Sequence, residues 1–187
     1  VAFLTAYYSL VTQARLVEGE RVLIHVATGG VGLAAIQIAK MIGAEIFATA
    51  GSEQKRDYLR ALGIRHVMNS RSLDFADEIM AATEGRGVDV VLNSLPGAFI
   101  EKGLASLAPY GRFVELGKRD IYADNPIGLK ALRKNLTFYA VDLANIDQAQ
   151  RRRMRTVLNE LEELLAAGKL GALPFTLFPM HGVVDAF

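Results

Sequence analysis

Gly29, Gly30 and Gly32 crowd into four positions, directly after the apolar run "RVLIHVA" and directly before the helix-patterned "GLAAIQIAKMIG". A glycine loop between a strand and a helix can seat an anion. Bare backbone admits a ligand, and the first N–H groups of the helix, with its dipole, face a negative charge. The spacing Ala27-x-Gly29-x-x-Gly32 differs in one place from the dinucleotide fingerprint G-x-G-x-x-G. Ala27 stands where the first glycine belongs and asks for a slightly different turn. Gly29 is assigned the approach of a pyrophosphate, and Gly32 the close packing of helix on strand. Thr28, Gly30 and Val31 complete the predicted contact loop. A tight turn without a ligand is the plainer reading of the same glycines.

The tip of the second strand selects the dinucleotide. NAD sites place an acid there for the ribose 2′-hydroxyl. Here "AEIFATA" runs into "GSEQKR", with small residues where the acid belongs. Ser52, Lys55 and Arg56 follow within one turn, and Arg71 comes just after the third strand. A 2′-phosphate finds hydroxyl and cationic partners in Ser52, Lys55 and Arg71, so the expected cofactor is NADPH. Glu53 is the objection, because an inward carboxylate there returns the preference to NAD.

The loops need a scaffold. Apolar runs at "RVLIHVA", "AEIFATA", "RHVMNS", "VDVVLNSL", "GRFVELG" and "NLTFYAVDL" alternate with helical patterns. The opening "VAFLTAYYSLVTQA" has Leu4, Tyr7, Tyr8 and Val11 at helical spacing. "SEQKRDYLRALG" reads as a helix capped by Ser52, "SLDFADEIMAATEG" as one capped by Ser72, and "AFIEKGLASLA" as a third. "KRDIYADNPIG" reads as a loop followed by a short helix. "QAQRRRMRTVLNELEELLAAG" is a long helix with an apolar stripe at Met154, Val157, Leu158, Leu161 and Leu165. "LPFTLF" is expected as a last short strand before a final helix beginning near "HGVVDAF". Strand and helix in strict alternation, with nearly continuous apolar strands, predict an α/β doubly wound parallel sheet, a Rossmann-like nucleotide-binding domain over 1–187.

Bulk properties narrow the function. The apolar fraction is 51% and the charged fraction 22%, an ordinary globular balance, and the net charge of +1 gives no reason to propose nucleic acid or membrane partners. There is no cysteine, which removes disulfides, a thiol nucleophile and thiolate metal sites, and is compatible with a cytoplasmic setting. No apolar run reaches the roughly 18 residues of a membrane span. Both ends are apolar and patterned, so the chain is expected to be a piece of a larger protein. His25, inside the first strand, is expected as a packed core residue. His66 and His181 have no partners at metal-ligand spacing, and "RRR" at 151–153 reads as a solvated helix face.

Five segments in order, "LTAYYSL", "VLIHVATGGVGLAAIQIAK", "GVDVVLNSL", "GRFVELGKRDI" and "FYAVDL", closely resemble the enoyl reductase domains of polyketide and animal-type fatty acid synthases. That family is the zinc-independent, quinone-reductase-like branch of the medium-chain dehydrogenase/reductases. The resemblance implies the nucleotide-binding half of such a domain, with a flanking GroES-like half absent. It implies hydride transfer from NADPH to the β-carbon of a trans-2-enoyl thioester on an acyl carrier protein, then protonation of the α-carbon. By position, Lys118 and Asp142 match the family's lysine and aspartate for protonation or substrate placement. Asn93, Ser94 and Leu95 match the loop beside the nicotinamide, and Leu116 and Gly117 are expected among the cofactor-binding residues. The other synthase domains become partners, and the sixth strand a possible dimer edge. Asn93 also suits a plain turn, and Asp142 a strand end.

Two rivals remain, and a third is set aside. A free-standing quinone or enone reductase shares fold and cofactor. A non-catalytic dimerising module shares the fold alone. A short-chain ketoreductase needs Tyr-x-x-x-Lys, and none of the six tyrosines has lysine four residues on.

Overall fold

In the computed structural model, residues 1–144, 147–175 and 177–179 are described. The chain opens with α1 (Ala2–Tyr7), which continues as a π-helical segment over Tyr8–Gln13. Then come β1 (Arg21–Ile24), α2 (Gly30–Ile42), β2 (Glu45–Ala50), α3 (Glu53–Ala61), β3 (His66–Asn69), α4 (Phe75–Ala82) and β4 (Val88–Asn93). α5 (Ala98–Ala105), β5 (Leu107–Glu115), the one-turn α6 (Arg119–Tyr122), a 3-10 segment (Leu129–Lys134), β6 (Thr137–Ala140) and α7 (Gln148–Ala166) follow.

The six strands of the described residues are all parallel, in the order β3-β2-β1-β4-β5-β6. This is the doubly wound sheet that the alternation of elements predicts. The order reverses between β1 and β4, and there the loops leaving the strand ends diverge to open a crevice.

Strand pleating divides the core in two. Val22, Ile24, Ala48, Val90, Leu92 and Val114 face one side, against the buried faces of α1, α2 and α7. Leu23, Phe47, Val91 and Phe113 face the other, against Phe75 and Ile79 of α4 and Leu104 of α5. Strands buried on both faces explain why they read as unbroken apolar runs. Below the sheet, Arg112 donates to both Glu20 carboxylate oxygens at 2.8 and 2.6 Å and to the Ala14 carbonyl at 2.9 Å. That clasp fastens the N-terminal helical segment to β5.

Several boundaries differ from the sequence pattern. The second half of the opening helix widens into π turns, which bury Leu10 completely and leave Val11 only half-buried. α4 begins three residues after Ser72, and Asp74 takes the cap position without a side-chain hydrogen bond. β5 starts at Leu107, ahead of the Pro109–Gly111 stretch that looks like its boundary. Its pairing jumps from Val88↔Leu107 to Val90↔Arg112, so the strand carries the irregularity within it. The expected 119–122 loop is a helical turn. In α7, Met154, Val157 and Leu161 are buried while Leu158 and Leu165 are exposed. Residues 173–175 and 177–178 of "LPFTLF" lie in no strand. The final helix, with His181, falls outside the described residues.

Candidate cofactor cleft and its rim

β1 ends at Ile24, three residues short of the apolar run, because His25–Thr28 turn toward α2. The turn is strained: Val26 is β-branched yet has φ 51°. Surrounding hydrogen bonds hold it there. Val26 N–H donates to Thr49 Oγ1 at 3.2 Å, Ala27 N–H to the Thr49 carbonyl at 2.8 Å, and Gly29 N–H to the Val26 carbonyl at 2.9 Å.

Gly29 then occupies the cap position of α2, with no side-chain cap and no acid in the helix's first turn. The leading N–H groups of this 13-residue helix therefore open toward an anion. Gly32 is sterically demanded. A Cβ there would lie 2.6 Å from both Cα and O of Ala27. Gly30 differs, since its Cβ would meet nothing nearer than Ala2 Cβ at 3.8 Å. Thr5, His25, Val26, Gly29, Gly32, Leu92, Ser94 and Leu116 are among the residues around a cleft of about 350 Å³.

His25 is 4% exposed, with Nδ1 3.0 Å from Thr49 Oγ1 and its ring edge-on to Phe75 at 4.7 Å. Burial holds its pKa down at about 3, so the ring is neutral at physiological pH. Among the described residues Nε2 has no hydrogen-bond partner. The packed-core expectation for His25 matches this setting.

At the tip of β2, Ser52 caps α3, its Oγ accepting from Lys55 N–H at a long 3.4 Å. Arg71 folds back over Gly51, where a Cβ would lie 2.9 Å from Arg71 Nε. Ser52 and Arg71 thus share one corner, with Lys55 exposed on the next turn. Glu53 faces solvent and is engaged by Arg56 and by Arg60, whose Nη1 donates to it at 2.7 Å. Arg60 first and Arg56 second hold the Glu53 carboxyl below its usual range. Arg56 also donates to the Ala50 carbonyl at 3.2 Å, so it serves its own helix start.

The opposite rim is built from the ends of β4, β5 and β6. Asn93 is fully buried; its amide donates to the Leu95 carbonyl at 2.8 Å and to Glu115 Oε2 at 2.5 Å, while Leu95 N–H donates back at 3.1 Å. Glu115 is 2% exposed and accepts from Gly117 N–H at 2.5 Å. Burial pushes the Glu115 carboxyl up, against the lowering effect of those hydrogen bonds. A Cβ at Gly117 would lie 2.7 Å from Glu115 Oε1, so the glycine is the counterpart of the carboxylate. Asn93 and Glu115 together tie the 94–95 loop to the 116–117 loop. Ser94 and Leu116 line the cleft; Asn93 sits beneath it.

Two residues beyond Leu116, Lys118 Nζ donates to Asp142 Oδ1 at 2.5 Å. This bond holds the Lys118 pKa above its ordinary value. Tyr122 O–H donates to Asp142 Oδ2 at 3.1 Å, and Ala144 N–H to Oδ1 at 2.9 Å. Lys118 and Asp142, 24 residues apart, meet because β5 and β6 are parallel neighbours.

Sequence reasoning passes over Thr49, Glu115 and Tyr122. Glu115 leaves a trace, a lone acid inside the apolar run "RFVEL". Tyr122 lies four residues after Lys118, a spacing that carries meaning only once the segment is helical.

With this geometry in place, comparison with known proteins is decisive. Residues 30–163 match the model of the family described as zinc-binding dehydrogenase. The nucleotide-binding subdomain of the enoylreductase domain of PpsC from Mycobacterium tuberculosis superposes with a TM-score of 0.86 at 56% identity, covering 92% of this chain and 96% of that one. The chain belongs to this family, among the polyketide synthase enoyl reductases. CurK enoyl reductase superposes at 0.88 with 48% identity, over all of this chain and 55% of its own. The phthioceranic/hydroxyphthioceranic acid synthase of Mycobacterium tuberculosis is 52% identical over 179 residues, which is 96% of this chain. The chain spans 8% of that synthase's length.

The residues suit a nicotinamide dinucleotide: an uncapped helix start, a glycine cradle and a cleft at the switch point. Among the described residues no three His, Cys, Asp or Glu side chains are grouped to hold a metal. Among them, too, no helix is long and apolar enough to cross a membrane.

Proposed function

We propose that this chain is the cofactor-holding half of an NADPH-dependent enoyl reductase, reducing a trans-2-enoyl thioester carried on an acyl carrier protein within a polyketide synthase. The observation that carries this reading is the Lys118–Asp142 pair at 2.5 Å, two residues from the cleft wall at Leu116. Reduced nicotinamide, when bound, supplies the hydride. As the β-carbon accepts it, negative charge gathers on the thioester oxygen and α-carbon. The Lys118 ammonium stabilises that charge and is the group placed to protonate the α-carbon, while Asp142 orients it. An exposed ion pair of this kind adds little to stability, which fits a positioning role.

Ser52, Lys55 and Arg71 at the β2 tip, with Glu53 neutralised by arginines of its own helix, support NADPH over NADH. The α2 N-terminus and Thr28–Gly32 hold the pyrophosphate. Ser94, Leu95, Leu116 and Gly117 border the nicotinamide, and Asn93 fixes their loops from below. The other half of the substrate cleft comes from outside the chain, so the isolated 187 residues bind NADPH but turn over little or no substrate. β6, which among the described residues pairs on one side only, is the edge through which two copies extend the sheet.

Calorimetry with NADPH and NADH tests the cofactor, and binding of neither would leave a scaffold module as the better description. Supplying the complete protein with a carrier-bound enoyl thioester and with a small quinone tests the substrate. A preference for the quinone would favour a free-standing quinone reductase.

A further inference from the structure

Lys118 is the residue that precedes α6, and Tyr122 closes that single helical turn, its N–H donating to the Lys118 carbonyl at 2.9 Å. An i, i+4 pair lies on one face of a helix, so the turn stacks the phenol beside the ammonium. Both side chains then reach Asp142, the lysine at Oδ1 and the phenol at Oδ2. The turn is anchored from its other side. Asp120 Oδ2 accepts from Gly97 N–H at 3.1 Å, and Oδ1 from the Asn125 amide at 2.9 Å. Thus α6 is pinned to the loop after β4 and holds Tyr122 over the end of β6. Tyr122 is 68% exposed, so its hydroxyl is not there to complete a core.

Building on the enoyl reductase reading, we propose that Tyr122 is a positioning residue of the rim: its phenol holds one oxygen of Asp142 so that the other keeps the Lys118 ammonium directed at the developing enolate. Without it Oδ2 loses the phenol's donor, and the carboxylate directs the ammonium less firmly. A group that must meet a reacting atom at hydrogen-bond distance is sensitive to such freedom.

The test compares Tyr122→Phe, Asp142→Ala, Lys118→Ala and the Tyr122→Phe/Asp142→Ala double variant in the complete reductase. Tyr122→Phe is expected to lower kcat roughly five- to tenfold, the scale of one lost hydrogen bond, with KM for NADPH unchanged. Calorimetric NADPH affinity of the Tyr122→Phe chain is expected to stay within about twofold of the parent, showing that fold and cradle are intact. In the Asp142→Ala background the same substitution is expected to do nothing more, because the hydroxyl acts through that carboxylate. An undiminished kcat in Tyr122→Phe, alongside a slowed Lys118→Ala, would overturn the proposal and leave the reductase reading standing. Additive losses in the double variant would also overturn it. Unchanged turnover in both Lys118→Ala and Asp142→Ala would instead remove the rim from the mechanism, and Tyr122 with it.

Discussion

Around Gly29–Gly32 the protein presents backbone, and around Lys118 it presents side chains. The cradle consists of helix-start N–H groups, a strained Val26 and a glycine that leaves no room for a Cβ. The rim consists of an ammonium, a carboxylate and a phenol from segments up to 24 residues apart, resting on the buried Asn93–Glu115 pair. The two regions must therefore fail differently. Adding an atom at Gly32 ruins the cradle, whereas removing one disables the rim and leaves the fold alone.

The largest effect should come from adding atoms. Gly32→Val places side-chain carbon against the Ala27 backbone, where the Cβ alone would be 2.6 Å from Cα and O. About 3 kcal/mol or more of stability should be lost, read as a fall in the denaturant midpoint, with NADPH binding lost too. Gly30→Ala is the control that sharpens the contrast, since its Cβ meets nothing within 3.4 Å. Its midpoint should barely move, and a fall as large as that of Gly32→Val would sink the steric account.

Acid should attack the cradle before the rim. His25 has a folded pKa of about 3 against an ordinary 6.5. Between those values the unfolded chain binds a proton that the native chain refuses, so stability falls as pH falls. Above pH 6.5 this contribution to the pH dependence vanishes. The slope should approach about 1.4 kcal/mol per pH unit below about pH 6, and His25→Asn should flatten it. An unchanged acid limb in that variant would show that His25 titrates normally.

Removing the ammonium should leave the fold untouched. Lys118→Ala in the complete enzyme is expected to slow reduction roughly 100-fold, the scale of a lost proton donor or charge stabiliser. NADPH affinity should change less than about twofold, because Lys118 belongs to the rim. A matching loss of affinity would erase the distinction between the two regions.

The smallest effect belongs to the β2 tip, which is solvent-exposed. Lys55→Ala should weaken NADPH roughly three- to tenfold and leave NADH unchanged, read by paired titrations. Equal losses for both cofactors would place Lys55 away from the 2′-phosphate.

The contrast also explains what is readable in the residue string. A glycine cradle is local: strand, bare turn and helix are contiguous, and Gly32 announces itself by spacing. The six strands and their parallel pairing are legible for the same reason, since burial on both faces leaves unbroken apolar runs. Boundaries are less so. Ser72 has the chemistry of a cap, yet α4 starts after Asp74. Pro109–Tyr110–Gly111 has the composition of a turn, yet β5 absorbs it through its jump in pairing with β4. The lysine and aspartate of the rim are assigned only through family resemblance, and Tyr122 sits in a stretch that reads as loop.

Local patterning, then, is enough to specify the doubly wound sheet and the glycine cradle, because each depends on residues next to one another in the chain. Only the folded molecule decides that Glu53 pairs with its own helix, that Asn93 lies beneath the cleft on Glu115, and that Lys118, Tyr122 and Asp142 form one cluster. The Asn93–Glu115 and Lys118–Tyr122–Asp142 contacts join elements brought together by parallel crossovers, and the directions of side chains across such crossovers leave no periodic trace in sequence.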